Sequence, residues 1–235
     1  MTAPAHNAHP KRRTNEGAEN YAKALYELQS REASAVGTTA VAERLGVTPA
    51  SASGMLRRLA DEGVVEYAPY RGARLTPEGE RIALEVIRHH RLLELFLAAE
   101  LGMPWDRVHA EAEVLEHHIS EELEELIADK LGEPALDPHG DPIPDRDLAL
   151  SADDSVPLIE LDPGEEGIFA RVSDSDASML RYLAERAIQP GATLTVKSRE
   201  PFGGPLMVEI AGRTHPLGQE LAGSMRVRRQ RAGGA

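Results

Sequence analysis

Two segments that place histidine and glutamate at helical spacing constrain this chain more than any other feature. In the first, a histidine and a glutamate are four residues apart. In the second, each later donor lies three or four residues after an earlier one. Side chains three or four residues apart share one face of an α-helix, where neighbouring glutamates repel unless a cation or open solvent compensates them. We therefore predict two helices whose donor stripes bind a divalent metal ion. The six donors are His90, Glu94, His109, Glu113, Glu116 and His117.

Length and composition favour small domains with independent cores. The chain has 235 residues and no cysteine, which corresponds to one to three domains that need no disulfide bonds. The apolar run at 92–101 is interrupted by Glu94 and Glu100 and is far shorter than the ~20 residues that span a bilayer. No apolar segment follows the basic amino terminus, which does not resemble a signal peptide. We expect a cytoplasmic protein without a membrane partner.

The net charge of −13 is concentrated in the middle of the sequence. Residues 1–80 contain 10 basic and 10 acidic residues, residues 81–155 contain 6 and 19, and residues 156–235 contain 10 and 10. A neutral segment with clustered arginines can still present a basic face to phosphate, whereas an acidic segment favours cations. The charge distribution thus predicts nucleic-acid binding and metal binding in different parts of the chain.

The amino-terminal part has the pattern of a winged helix-turn-helix. Short amphipathic helices over 38–47 and 49–62 are joined by a Gly-Val-Thr turn, with Thr48 as the N-cap and Pro49 at the first helical position. Two strand-like segments around a Pro-Tyr-Arg-Gly turn follow and predict a hairpin over 64–76. Together these elements predict a helix-turn-helix with a β-hairpin wing.

The rest of the chain changes from helical to strand-like patterns. Three helices are predicted over 76–101, 104–118 and 120–131, and a proline-rich connector over 133–157 separates them from several short strands and one helix at 177–187. Short strands separated by glycine turns suggest a small β-barrel. We expect a mostly α fold with a small β part. The predicted domains are a disordered tail (1–15), the winged helix-turn-helix (16–80), a helical metal-binding domain (81–150) and the barrel with a basic tail (151–235).

The second helix of the helix-turn-helix has side chains suited to DNA. Hydroxyls and guanidiniums of this kind contact base edges and phosphates in the major groove, and further arginines lie at the wing. The alternative is a winged helix used only for protein contacts, because this fold does not by itself determine function. The predicted DNA-binding residues are Ser51, Ser53, Arg57, Arg58, Arg71 and Arg74. The arginines at 226, 228, 229 and 231 either add nonspecific DNA affinity or form a tail.

With these motifs in this order, the chain resembles the diphtheria toxin repressor family of metal-dependent repressors, in its manganese-regulator branch. The similarity extends over about residues 16–227. The segments that carry it are 20–28 (NYAKALYEL), 88–94 (RHHRLLE), 108–117 (VHAEAEVLEH) and 137–144 (DPHGDPIP).

The resemblance implies a homodimer, an SH3-like barrel of the FeoA type, and two metal sites per subunit. An activating site would use Glu113, Glu116 and His117 together with Asn20 of the first helix. A companion site would use the ligands His90, Glu94 and His109. The carboxyl-terminal domain adds ligands in some members, at positions that match Ser173 and Asp176 here. The alternative role for Asp176 is the N-cap of the helix that follows it.

Two departures from the family pattern bear on the choice of metal. Glu113 stands where the iron-responsive branch has cysteine, so the donor set favours hard ions such as Mn²⁺ or Fe²⁺. Asn20 stands where the manganese branch usually has aspartate, and Lys23 where some members have a further acidic ligand. We expect Mn²⁺ in preference to Fe²⁺ as the corepressor, and double-stranded operator DNA as the partner.

Several other residues fit structural roles better than a ligand role. The histidines at 89, 118 and 139 are predicted to be packed or solvated, the glutamates at 121–125 to form a solvated helix face, and Trp105 to be a packing anchor. Without a His-Glu-x-x-His motif or a repeated Glu-x-x-His, a metalloenzyme is disfavoured, and we expect no organic substrate and no catalysis. The remaining alternative is a winged-helix regulator that senses an organic ligand and would keep its DNA affinity after chelation.

Overall fold

The computed structural model describes residues 16–30 and 35–230. The predicted tail at 1–15 and the last arginine of the basic cluster, Arg231, lie outside these residues. The chain divides into two compact units, Met1–Val86 and Ile87–Ala235. Among the described residues, no helix combines the length and apolar content needed to cross a bilayer.

The first unit is helical with one small hairpin, as the sequence predicts. A long helix, α4 (Pro77–Ala99), begins in it and continues into the second unit. Within the hairpin, Val65 pairs with Leu75 and Ala68 with Gly72. The elements before α4 are α1 (Glu16–Gln29), α2 (Thr38–Leu45), α3 (Pro49–Asp61), β1 (Val65–Ala68) and β2 (Gly72–Leu75).

Local capping sets the turn between α2 and α3. Gly46 ends α2 with a φ of 64°, a left-handed conformation that glycine adopts without steric cost. The Thr48 hydroxyl then accepts a hydrogen bond from the Ser51 N–H at 3.1 Å, and Pro49 occupies the first turn of α3. Both features confirm the predicted helix-turn-helix. Apolar faces, including Leu25, Leu56 and Leu59, form the core that fixes the three helices.

The helices of the second unit differ from the prediction at one functionally important end. Helix α5 spans Val108–Leu115, although the sequence predicts a helix from 104 to 118. A turn in which the Arg107 N–H donates to the Pro104 carbonyl precedes it, and Glu116 is its C-cap. Glu116 and His117 therefore lie in the turn that follows α5 and not on its helical face.

Helix α6 (Glu121–Leu131) is capped at both ends, by Ser120 and by Gly132 in a left-handed conformation. The prediction that its glutamates form a solvated face is wrong at one position. Glu124 is buried and forms an ion pair with the buried Arg88 at 2.5 Å, whereas its neighbours at 121, 122 and 125 are exposed.

The carboxyl-terminal part is an antiparallel sheet with short helices, and its strands do not close into the predicted barrel. In the described residues the six strands follow the order β3-β8-β4-β5-β6-β7, which leaves β3 and β7 as edges. Pro157 in β3 and Pro216 in β7 have no N–H to donate, and proline in sheets is confined to such positions. The elements are β3 (Val156–Pro157), β4 (Glu166–Val172), α7 (Ala177–Ala184), β5 (Thr193–Arg199), β6 (Leu206–Ile210), β7 (Arg213–Leu217), α8 (Gln219–Ser224) and β8 (Met225–Arg229).

Candidate metal centre and nucleic-acid interface

Three predicted donors of the second unit meet at one buried point. Helix α4 supplies His90 and Glu94 one turn apart, and α5 supplies His109 from its first turn. His90 Nε2 lies 3.0 Å from Glu94 Oε1 and 3.1 Å from His109 Nδ1, and His109 Nδ1 lies 3.3 Å from the same carboxylate oxygen. Glu94 is fully buried, so this carboxylate is shielded from water.

A fourth donor comes from the segment after β4. Asp174 Oδ2 lies 3.0 Å from His109 Nδ1, and one ligand atom from each of His90, Glu94, His109 and Asp174 lies within 4.8 Å of the others. Neighbouring ligands about 2.1 Å from a metal ion at right angles are about 3 Å apart. The separations of these four donors thus have the spacing of a coordination sphere.

The charges of this centre are balanced by protons in the metal-free chain. The Asp174 hydrogen bond, followed by that of Glu94, raises the pKa of His109 to about 10. Burial alone would raise the pKa of Glu94, but hydrogen bonds from its histidine neighbours hold that pKa well below its ordinary value. Burial would likewise raise the pKa of Asp174, and the hydrogen bond from His109 lowers it. Protonated imidazoles therefore compensate the carboxylates where a cation is absent.

A second histidine, His139, faces Glu94 from the opposite side. Its Nδ1 lies 3.7 Å from Glu94 Oε2, and within the described part of the chain neither buried atom has a partner at hydrogen-bond distance. Its Nε2 donates to the Trp105 carbonyl at 2.8 Å, and the two rings stack at 5.7 Å. Burial alone would lower the pKa of His139, but the Glu94 carboxylate raises it to about 9. Once His139 loses its Nδ1 proton, these two buried atoms face each other at a place where a cation would satisfy both.

The loop that holds His139 is fixed to the sheet by close backbone contact. The Val172 N–H donates to the His139 carbonyl at 3.0 Å, and Asp137 Oδ1 accepts from the His139 and Asp141 N–H groups. Gly140 has a φ of 90°, and a Cβ at this position would overlap the Ala170 carbonyl. Burial, reinforced by the carboxylates of Asp141 and Glu94, raises the pKa of Asp137.

The donors that the resemblance assigns to an activating site lie on the other side of His90. His90 Nδ1 donates to Glu116 Oε2 at 2.5 Å and lies 3.8 Å from Glu113 Oε1. His117 Nε2 lies 3.4 Å from Glu116 Oε1. The fourth residue of that predicted set, Asn20, lies in α1 of the first unit.

A buried network supports the turn that contains Glu116. His89 Nδ1 donates to the Glu116 carbonyl at 3.1 Å, and His89 Nε2 donates to Glu124 Oε2 at 2.9 Å. Arg88 donates to the other Glu124 oxygen and to the Pro144 carbonyl at 2.6 Å. Burial alone would raise the pKa of Glu124, but His89 and Arg88 lower it. His89 is packed, as predicted, and it fixes the backbone of a candidate ligand.

The predicted DNA-binding residues of the first unit are mostly exposed. Arg57, Arg58 and Ser51 are exposed on α3, although Arg58 forms an ion pair with Glu62 at 2.9 Å. Ser53 is half-buried, and the hydroxyl of Thr38, followed by that of Ser53, lowers the pKa of Tyr67 on β1. Arg71 and Arg74 are exposed on the hairpin. Helix α3 and the wing thus present guanidiniums and hydroxyls to solvent.

Three family models match successive parts of the chain. The model of the iron dependent repressor N-terminal DNA binding domain matches residues 13–73, and that of the iron dependent repressor metal binding and dimerisation domain matches residues 76–145. A FeoA domain model matches residues 156–229.

Full-length relatives show the same arrangement. The iron-dependent repressor IdeR of Mycobacterium leprae is 30% identical over 222 residues, which cover 89% of this chain and 95% of the relative. The chain belongs to the iron-dependent repressor family. A solved manganese-dependent transcriptional repressor in complex with manganese is 41% identical, with a TM-score of 0.84, and the match covers 91% of this chain and all of that one. The transcriptional regulator MntR of Escherichia coli O6:H1 is 44% identical over 82 residues, and the match spans about half of that relative, 52%.

In this iron-dependent repressor family member, Asp176 has the second of its two predicted roles. It is the N-cap of α7 and accepts hydrogen bonds from the Ser178 and Met179 N–H groups. Ser173 contacts Ser175, and Asp174 is the residue that reaches His109. The position of a donor in a short loop depends on the loop conformation, which residue spacing does not determine.

His139 is packed, as predicted, and its packing partner is Glu94. With Glu94 and Asp137 it also belongs to a group of possible ligands, which the sequence alone did not indicate. A lone histidine outside a helix has no periodic signal. The DPHG segment at 137–140 is the sequence signal that indicates this position, because its aspartate and glycine predict a tight loop that fixes the orientation of the histidine.

Proposed function

We propose that this protein is a dimeric transcriptional repressor that binds operator DNA when Mn²⁺ or Fe²⁺ occupies its metal sites, one of which is the centre around Glu94. The observation that supports this function best is the set of four donors from three segments of the second unit, with neighbouring ligand atoms 3.0–3.3 Å apart. The family models for DNA binding and for metal binding in one chain support the same function.

His90, Glu94, His109 and Asp174 would hold the metal ion, and His139, which faces the second Glu94 oxygen, would be a further ligand of the ion. A bound divalent ion supplies positive charge that links these carboxylates and imidazoles. His109 must lose its proton to bind, because only neutral imidazole coordinates a metal. Glu113, Glu116 and His117, together with Asn20, remain the proposed ligands of the activating site.

Oxygen and nitrogen donors determine the class of metal. The chain has no cysteine, so thiolate ligands are excluded, and carboxylates with imidazoles suit Mn²⁺ and Fe²⁺. Zn²⁺ binds such donors more tightly, so the coordination number and the metal available in the cell must decide which ion acts. We prefer Mn²⁺, for which the solved relative with bound manganese is a precedent.

Helices α5 and α6 offer the face for a second copy of the chain. Val114 of α5 and Leu123 and Leu126 of α6 are 66%, 45% and 59% exposed, and the cover of a second copy would remove these apolar side chains from water. They lie in the region that matches the metal binding and dimerisation model. In a twofold dimer, two copies of α3 would read half-sites one DNA turn apart, about 34 Å, or a multiple of it.

The neutral variant Asp174→Asn tests the metal centre, and Asp176→Asn is its matched control. Asp174→Asn removes one charged ligand, so we expect Mn²⁺ to bind about tenfold to a hundredfold more weakly. Asp176→Asn keeps a good N-cap and should bind Mn²⁺ like the wild type. Isothermal titration calorimetry measures the affinity, and fluorescence of the single Trp105 reports changes beside His139.

Fluorescence anisotropy with a labelled duplex tests the function itself. The duplex is selected by the wild-type protein from a random-sequence pool with Mn²⁺ present. Chelation should release it, and Mn²⁺ should restore binding. Equal affinity after complete chelation contradicts the metal-dependent mechanism and favours the regulator of an organic ligand. Equal Mn²⁺ affinities of the two aspartate variants contradict the assignment of Asp174.

A further inference from the structure

The tip of the β-hairpin in the first unit holds a tyrosine in an unfavourable conformation. The Arg71 N–H donates to the Ala68 carbonyl at 3.0 Å and closes a β-turn with Pro69 and Tyr70 at its centre. Tyr70 has a φ of 67°, and proline followed by a positive φ is the pattern of a type II turn, where glycine or asparagine is usual. A bulky residue at this position is a rare exception.

The ring of Tyr70 gains nothing from burial that could offset this conformation. Its relative exposure is 106%, so the whole side chain projects into solvent. Strained residues that persist without a packing role concentrate at ligand-binding sites. An exposed aromatic ring with a hydroxyl combines an apolar face with a hydrogen-bonding group, which suits an interface.

The hairpin is fixed to the helix that we propose to read DNA. Val65 of β1 lies in the same buried core as Leu56 and Leu59 of α3, so packing holds the wing beside that helix. Arg71 follows Tyr70 directly and is exposed, and it adds a positive charge at the tip. A ring and a guanidinium at the end of a rigid hairpin match the sugars, base edges and phosphates of a groove next to the one that α3 occupies.

We propose that Tyr70 is a DNA-contacting residue, which places its ring and hydroxyl in the minor groove beside the site read by α3. The minor groove presents hydrogen-bond acceptors on every base pair, to which the phenol can donate. The Tyr70 contact is uncharged, so the salt dependence of DNA binding distinguishes it from the charged contact of Arg71. This inference rests on the proposed DNA-binding function.

Tyr70→Asn tests the contact, because asparagine tolerates a positive φ and keeps the turn. We expect its melting temperature, followed by circular dichroism, to be equal to or above that of the wild type. Its affinity for the selected duplex with Mn²⁺ present should fall about fivefold to tenfold, the equivalent of one or two interface hydrogen bonds. Tyr70→Phe keeps the ring and should lose less.

Phe202→Asn is the matched control on the other unit. Phe202 is also fully exposed, at 105%, and has a positive φ of 58° at the tip between β5 and β6. Its substitution should leave DNA affinity unchanged. Arg71→Gln separates charge from ring, since loss of a phosphate contact reduces the salt slope of binding by about one, and Tyr70→Asn should not change this slope.

Hydroxyl-radical footprinting locates the contact. Wild-type protein should protect minor-groove sugars on either side of the central site, and Tyr70→Asn should lose this protection. If the wild type binds the duplex and Tyr70→Asn binds equally well with the same footprint, the inference is overturned while the repressor function stands. If the wild type retains no duplex from the pool, the DNA-binding function fails and the role of Tyr70 fails with it.

Discussion

At the scale of single residues, the proposed metal centre contains two histidines whose pKa values the folded chain raises. In the folded chain the pKa of His109 is about 10 and that of His139 about 9, against an ordinary value of 6.5. A histidine with a raised pKa stabilises the fold fully below pH 6.5, and this contribution is lost as the pH rises through the folded pKa. Protons compete with a metal ion for the imidazole nitrogens.

Two pH dependences of opposite sign follow from these pKa values. Between pH 6.5 and about 9 the metal-free second unit should become less stable to urea, as followed by Trp105 fluorescence, whereas its affinity for Mn²⁺ should rise. Calorimetry in buffers of different ionisation enthalpy should detect proton release on binding. His109→Gln removes one titrating group, so its Mn²⁺ affinity should depend less on pH. An Mn²⁺ affinity that is constant over this range would contradict a protonated resting centre.

At the scale of elements, the sequence predicts residues whose role depends on their neighbours along the chain. It does not predict residues whose role depends on tertiary contacts. Thr48 and Gly46 act within one turn of their own helices, so the helix-turn-helix was predicted with nearly correct ends. The donors on α4 share a face through backbone geometry alone. Asp174 and His139 reach the centre through loops packed on the sheet. Strand β7 is hard to recognise in the sequence because Pro216 interrupts its strand-like pattern. Glu124 is buried only because Arg88 and His89 lie opposite it.

The network around Glu124 gives a prediction for α6. Glu124→Leu leaves the buried Arg88 without its carboxylate, and the loss of one partner of a buried ion pair costs about 3–5 kcal/mol of unfolding free energy. Glu122→Leu, on the exposed side of the same turn, should cost less than about 1 kcal/mol. Urea unfolding of the metal-free protein, monitored through Trp105, measures both. Equal losses in the two variants would mean that the ion pair contributes little.

At the scale of the whole molecule, the chain separates charge by function. Residues 81–155 contain 19 acidic and 6 basic residues, whereas residues 1–80 contain equal numbers. Uptake of divalent ions by the acidic segment reduces its repulsion of DNA phosphates, an effect that salt screens over about 10 Å at 0.1 M. If the metal ion acted only through long-range charge, its effect on DNA affinity would therefore disappear at high salt. If it acted through a specific conformational coupling, the effect would persist.

Thermodynamic linkage makes the coupling measurable from either side. If Mn²⁺ tightens the binding of the selected duplex by some factor, that duplex must tighten Mn²⁺ binding by the same factor, typically about 5-fold to 150-fold. We expect the Mn²⁺ titration midpoint, read from Trp105 fluorescence, to shift to lower concentration when duplex is present. Replacing both Arg57 and Arg58 by glutamine should abolish this shift without changing the midpoint in the absence of DNA, because these residues lie on α3, outside the metal centre. A midpoint that does not move with a saturating duplex would show that metal and DNA bind independently, and the protein would then not be a metal-dependent repressor.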